Sequence, residues 1–297
     1  MPLPPPSRTD RTRGQLLILA AAILWSTGGL FIKVLTDGEG PYRMAPQALA
    51  CLRSAAAGLT LAWALPGLRG VSRLRVTGSA LVYGVALWAF VMATNTTTSA
   101  NAIFLQYAFP LVVAVGAWTL FAERPSGRTA ASLAVGMAGV AVILAGSWRP
   151  GAEAGLLYGV TSALSLAAFV LLQRAIRQGS PLALTSAYNL IGAVAMLPLA
   201  WGLFDVSAAA VLLVGVQGVV QIGLPYVLFI KGLRSVPAAE AGLICLIEPV
   251  LNPLWVWLGV GETPNRWTLL GGAVILAALA VRFSSRRAPV AAVPSPD

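Results

Sequence analysis

Glu248 is the only carboxylate well inside a long apolar run of this chain. That run, Ala239–Glu262 (AEAGLICLIEPVLNPLWVWLGVGE), also holds Pro249 and Pro253. Glu248 lies about ten residues from the start of its run, which at about 1.5 Å per residue sets it near the middle of a bilayer. A charge at that depth costs at least about 2.5 kcal/mol, so it must face a cavity or a partner. Two chemistries suit it: contact with a substrate ammonium, or reversible binding of a proton. A structural role competes with both. The two prolines free backbone carbonyls, and a protonated Glu could donate to one of them. Cys245, Asn252 and Trp255 stand at i−3, i+4 and i+7, the spacing of one helical stripe.

Other polar groups in apolar runs complete the candidate lining. Gln217 and Gln221 share a helical face, with Pro225 one turn further on; Gln106 and Tyr107 form a second pair, and Tyr83 and Trp88 a third. Side-chain amides in lipid must be paired or wet, so the glutamines suit a polar cavity, although helix–helix hydrogen bonds of about 0.6 kcal/mol each also explain them. Tyr83 and Trp88 could equally mark a membrane interface. Trp25 is followed by Ser26, Thr27, Gly28 and Gly29, small residues that let a backbone or a ligand approach. Arg53 and Lys33 can reach headgroups with their long stems; alternatively, Arg53 offers an anion contact for a substrate carboxylate. Tyr188 and Asn189, and Ser162 and Ser165, are further lining candidates, whereas Gly155 and Gly159 form a small-xxx-small pair suited to close helix packing.

The elements that must position these groups follow from composition. The chain has 297 residues, 58% hydrophobic and 10% charged, with a mean hydropathy of +0.80. A soluble protein carries roughly 25% charged residues, so the bilayer is the expected solvent. Ten apolar runs are long enough to cross it as helices: 15–35, 46–66, 76–94, 99–121, 128–147, 154–174, 182–203, 208–230, 238–259 and 266–283. Residues 1–14 and 284–297 are read as tails, and residues 15–147 and 154–283 as two five-helix units. With the N-terminus inside, 15 of the 20 Lys and Arg fall on internal segments, the bias that keeps both termini in the cytoplasm. The net charge of +10 therefore reflects orientation rather than nucleic-acid binding.

The two units repeat. An ungapped offset of 139 pairs Pro110 with Pro249, Trp118 with Trp257, Glu123 with Glu262, Pro125 with Pro264 and Thr129 with Thr268. Five helices is an odd number, so the second copy enters the membrane inverted, an arrangement in which secondary transporters bind substrate between the halves. The loop with Arg69, Arg73 and Arg75 is basic, while its counterpart around Asp205 has no Lys or Arg, as inversion requires. Glu248 has Phe109 as its counterpart, so its role is not symmetric.

These motifs (ten helices in two repeats, Pro…Glu-x-Pro across the fourth and fifth spans of each, and Ile247–Glu262, IEPVLNPLWVWLGVGE) resemble the drug/metabolite transporter superfamily, EamA type. Within it the aromatic content is similar to that of the bacterial aromatic amino acid exporters. The resemblance implies an all-α integral protein of the cytoplasmic (inner) membrane, monomeric or dimeric, exporting a small metabolite such as an aromatic or neutral amino acid by alternating access. A nucleotide-sugar, sugar-phosphate or drug carrier is the alternative cargo class. Phosphorylated cargo would call for cations near the midplane, and the sequence shows none there.

Other function classes lack their residues. Histidine is absent, and the two cysteines, Cys51 and Cys245, lie in apolar runs, so no metal site or cofactor is expected. There is no G-x-S-x-G elbow for an intramembrane enzyme and no GxxxxGK[ST] for an ATPase. A channel remains open as an alternative, which saturable uptake with counterflow would separate from a carrier.

Overall fold

The computed structural model describes residues 8–37, 40–122, 127–148, 150–173, 176, 178–236 and 238–283. The two tails beyond them, the loop with Glu123 and Pro125, Arg124, Arg149, Arg174, Arg177 and the side chains of Arg128, Thr129 and Arg282 lie outside the described residues.

Fourteen α-helices build ten membrane passes among the described residues. The first pass is α1 (Arg8–Ser26) and α2 (Gly28–Thr36). Its helix starts at Arg8, seven residues before the apolar run, with Asp10 in the first turn where an acid offsets the helix dipole. The second is α3 (Pro46–Thr60) with a 3-10 turn (Ala62–Leu68) bent from it by 72°. Then come α4 (Arg73–Thr96); α5 (Ser99–Gln106) with α6 (Phe109–Phe121); and α7 (Gly127–Ser147). The second half holds α8 (Glu153–Gln173); α9 (Pro181–Ala200); α10 (Ala208–Val216) joined through a π-helical segment (Gln217–Gly223) to α11 (Leu224–Gly232); α12 (Ala238–Cys245) with α13 (Glu248–Val260); and α14 (Arg266–Phe283). Seven of the passes are long and apolar enough to cross a membrane by themselves.

The repeat is visible in the helix boundaries. Adding 139 to Ser99, Gln106, Phe109 and Phe121 gives Ala238, Cys245, Glu248 and Val260, the four ends of α12 and α13. The left-handed caps agree as well: Ala122, at φ 54°, stands opposite Gly261, at φ 74°. Pro110 and Pro249 each sit in the first turn of the second half-helix, where a missing N–H costs nothing. The fourth and ninth passes are thus broken at the same place for the same reason.

α4 packs on α8 and α9, α3 on α9, α7 on α14, and α1 on α11. Glycines permit the closest of these approaches, as where Gly84 of α4 meets Gly192 of α9. Gly155 and Gly159 press on Thr96–Thr97 and Leu105, the packing role expected of them. Trp118 and Trp257, repeat partners at opposite ends of the bundle, are about half exposed, the position of interfacial aromatics. The chain is an all-helical integral membrane protein of two inverted five-pass repeats.

Candidate functional site

The breaks aim polar groups at one place. Where α5 gives way to α6, Tyr107 projects across to the corresponding break between α12 and α13. Its hydroxyl donates to Glu248 Oε2 at 2.6 Å and lies 3.1 Å from the Cys245 carbonyl, one of the acceptors the break releases. That repair is one of three roles the sequence leaves open for Glu248; here the Tyr107 hydroxyl stands at the freed carbonyl, and the second carboxylate oxygen of Glu248 is left for other partners.

The first pass breaks at Thr27, where the Ser26 and Thr27 hydroxyls turn back to the carbonyls of Ile23 and Leu24 at 2.6 and 2.7 Å. Side chains that bond backward in this way bend a helix. The Trp25 carbonyl accepts from Gln221 Nε2 at 3.2 Å instead. A Cβ on Gly28 would lie 2.9 Å from that same nitrogen, so glycine is what admits Gln221. Gly29 makes the matching allowance for Ser99 and Asn252, whose side chains bond at 2.7 Å.

The eighth pass is widened rather than broken. Pro225 has no N–H to offer the Gln221 carbonyl, and the helix relaxes into a π turn, with the Leu224 N–H reaching back to Val219. The extra residue per turn brings Gln221 and Tyr226, five apart, onto one wall.

These segments enclose a cavity of about 520 Å³ between the repeats. Of the residues singled out in the sequence, it gathers Trp25, Arg53, Tyr83, Gln106, Tyr107, Gln221, Glu248 and Asn252. Gln106 is fixed by Ser162, accepting its Nε2 at 2.8 Å, and Ser162 in turn donates to the Ala86 carbonyl. Leu87, Phe90, Leu166, Val170 and Phe229 supply apolar wall. The lining reaches Val170, Phe229 and Leu279, each within about a turn of the helix ends near Asp10, whereas Arg53 and Asn252 stand about two turns short of the opposite ends.

Seven candidates do not line it: Ser162, which holds Gln106, Asn189, which donates to the Thr185 carbonyl at 2.9 Å, and five more. Trp88 stacks edge-on against Tyr158 at 5.3 Å. Tyr188 packs between Tyr83 and Phe169 and donates to Gln173 Oε1 at 2.9 Å. Ser165 is half-buried beside Leu166, which takes the cavity position on α8. Gln217 is fully buried, because the π turn carries it off the cavity wall. Trp255 donates to Ser26 Oγ at 2.8 Å, so its indole serves the contact of α13 with α1. The Cys245–Glu248–Asn252 stripe is shared by two half-helices and ends before Trp255. Tyr226 is the main lining residue that the sequence reading missed; its hydroxyl is 3.0 Å from that of Tyr83, and its ring stacks edge-on against Trp25 at 5.2 Å. Pro225 was the signal that could have found it.

Neither long cation snorkels. Arg53 is 4% exposed, faces the cavity beside Tyr83 and Tyr226, and its Nε and Nη1 have no hydrogen-bond partner among the described residues. The cavity thus holds Arg53, in the second of the two settings, headgroup or anion contact, that the sequence offers for it. Lys33 is 5% exposed and binds Asp37 and Glu262, each at 2.9 Å, and the Thr97 carbonyl at 3.3 Å. Glu262 also accepts the Ser99 N–H at 2.8 Å, so a polar chain runs from Lys33 through Glu262 and Ser99 to Asn252 on the cavity wall. Beside it Asn101 joins Ser147 and Thr268. This end of the bundle is sewn shut across both repeats. No cluster of three His, Cys, Asp or Glu able to hold a metal exists among the described residues.

A cavity between two inverted repeats is the architecture of a membrane transporter. The chain belongs to the EamA-like transporter family, whose model matches residues 12–145 and 153–284. An uncharacterized transporter of Archaeoglobus fulgidus is 33% identical over 210 residues, 69% of this chain and 75% of that one. The uncharacterized transporter YwfM of Bacillus subtilis is 27% identical over 291 residues, 92% of this chain and 94% of that one. A crystal structure of another protein superposes with a TM-score of 0.62 over 90% of this chain and 96% of its own at 21% identity, a likeness of fold.

Proposed function

We propose that this chain is a secondary carrier for a zwitterion, an amino acid with an apolar or aromatic side chain, exported across the cytoplasmic membrane by alternating access. One observation carries the reading: Arg53 and Glu248 line the same cavity, and the Arg53 Nε and Nη1 have no hydrogen-bond partner among the described residues. A buried guanidinium without a counter-ion is unfavourable in a low-dielectric site. A ligand bearing a carboxylate and an ammonium satisfies Arg53 and Glu248 at once. Trp25, Phe229, Leu166 and Val170 form the surface against which its side chain packs. A volume of about 520 Å³ suits a metabolite of that size. A single lining cation is a poor match for the two or more charges of phosphorylated cargo.

The positive-inside charge count puts the Asp10 end in the cytoplasm and the Lys33 end outside. In that orientation the cavity reaches toward the cytoplasm while the Lys33–Glu262 tie closes the outer face, an arrangement suited to loading cargo from within. Purified protein in liposomes should take up labelled phenylalanine, leucine or a related amino acid saturably and without ATP, with counterflow from preloaded vesicles. Permeability equal to that of empty liposomes across a broad amino-acid panel would refute the proposal.

A further inference from the structure

Arg53 offers a ligand one positive charge, but the geometry around it offers more. Tyr83 and Tyr226, from different repeats, meet at 3.0 Å on the cavity wall beside it. A pair of hydroxyls carries two donor protons, and the bond between them uses one. Asn189 and Arg53 are the other polar neighbours of Tyr83, and either hydroxyl can be the donor of the pair; with Tyr83 donating, the Tyr226 hydroxyl is free to turn toward an anion at Arg53. Tyr226 is also within electrostatic reach of Glu248. It can therefore separate the place where an anion sits from the place where a cation sits. Its position depends on the π turn before it and on the edge-on contact with Trp25, both of which fix the ring without using its oxygen.

We infer that Arg53 and the Tyr83–Tyr226 hydroxyl pair form a carboxylate subsite, with Tyr226 as its specificity-determining residue. One guanidinium plus one neutral donor matches the charge and the two oxygens of a monoanionic carboxylate. The subsite rests on the amino-acid reading only in taking a carboxylate as the anion. Its geometry serves any ligand that carries one.

The test compares wild type with Y226F, a change that keeps the ring and its stacking, using three probes in a detergent-solution binding assay. The probes are phenylalanine, its amide (no carboxylate) and 3-phenylpropionate (no ammonium). Loss of a hydrogen bond to a charged group should weaken phenylalanine and 3-phenylpropionate about tenfold and leave the amide unchanged. Equal weakening of all three would make Tyr226 a packing residue and overturn the subsite, with the amino-acid reading intact. Wild type that binds 3-phenylpropionate as well as phenylalanine, with Y226F weakening both, would keep the subsite and sink the zwitterion reading. Wild type that binds none of the three would overturn both.

Discussion

Replacing Arg53 by methionine should stabilise the empty protein while removing its function, and the two effects can be read separately. Arg53 is 4% exposed, and Nε and Nη1 have no partner among the described residues, so an apolar residue of similar length breaks no bond at either atom. An arginine at the centre of a membrane helix costs about 2.5–3.5 kcal/mol on the insertion scale. Two turns from the helix end, and beside a cavity, roughly half of that is a reasonable share. A gain of roughly 1–2 kcal/mol raises the Tm of a chain this size by about 2–8 °C. Against this, a ligand carboxylate loses a charge-assisted hydrogen bond of about 1.5–3 kcal/mol, a 10- to 100-fold rise in KM. Thermal unfolding of the detergent-purified protein gives the first number and liposome uptake the second. R53K, which keeps the charge but not the planar fork, should fall between the two proteins in KM. A Tm for R53M several degrees below wild type would show that the guanidinium holds the fold together, and an unchanged KM would show that it meets no anion; either result refutes the reasoning.

Three further substitutions test the neighbouring parts. E248Q keeps an acceptor for the Tyr107 hydroxyl, so the fold should persist with a Tm within a few degrees of wild type; KM should rise about tenfold or more for amino acids, and not for carboxylic acids lacking the ammonium. K33M leaves Asp37 and Glu262 without their shared cation; these carboxylates are 43% and 21% exposed, so the loss should stay below the roughly 3–5 kcal/mol of a fully buried pair. A cysteine at Ser99 should then become more reactive toward a membrane-impermeant thiol reagent added from outside. In G29A the new methyl would overlap Ser99 Oγ and lie 2.7 Å from Asn252 Oδ1, and overpacking of about 1–3 kcal/mol should appear as a lower Tm.

The inverted repeat was legible in the sequence because prolines leave marks that do not depend on burial. Pro110 and Pro249 interrupt the hydrogen-bond ladder wherever they stand, and the offset of 139 between them carries over to every helix end of the fourth and ninth passes. Position along a pass was legible too: counting residues put Glu248 near the middle of the ninth pass, where the break between α12 and α13 falls, and it lines the cavity. Azimuth was harder to read. Face assignments from a 3.6-residue period assume an unbroken α-helix. The second pass has its bend after Arg53, and Arg53 was ambiguous for a different reason: its stem could reach a headgroup or turn to an anion, and only the packing around α3 shows that it faces the cavity. In the eighth pass the assumption itself failed: the π turn moved Gln217 off the wall and brought in Tyr226. In the ninth, the break at Leu246–Ile247 kept Cys245 and Asn252 beside Glu248 but let Trp255 turn to Ser26.

The Lys33 tie shows the same limit from the other side. Lys33 and Glu262 are 229 residues apart, in different repeats, and nothing in their local sequence pairs them. They meet because the inverted repeats bring the end of the first pass and the end of the ninth to one face, with Ser99 between them at the start of the fourth. Closing that face satisfies a buried lysine with two carboxylates, so opening it must supply new partners for at least one of these charges. Water entering from outside is the evident source, and in the proposed orientation it is available only there. A ligand that draws Asn252 away from Ser99 would loosen the same polar chain from within, which gives the cavity a route to the tie through two hydrogen bonds.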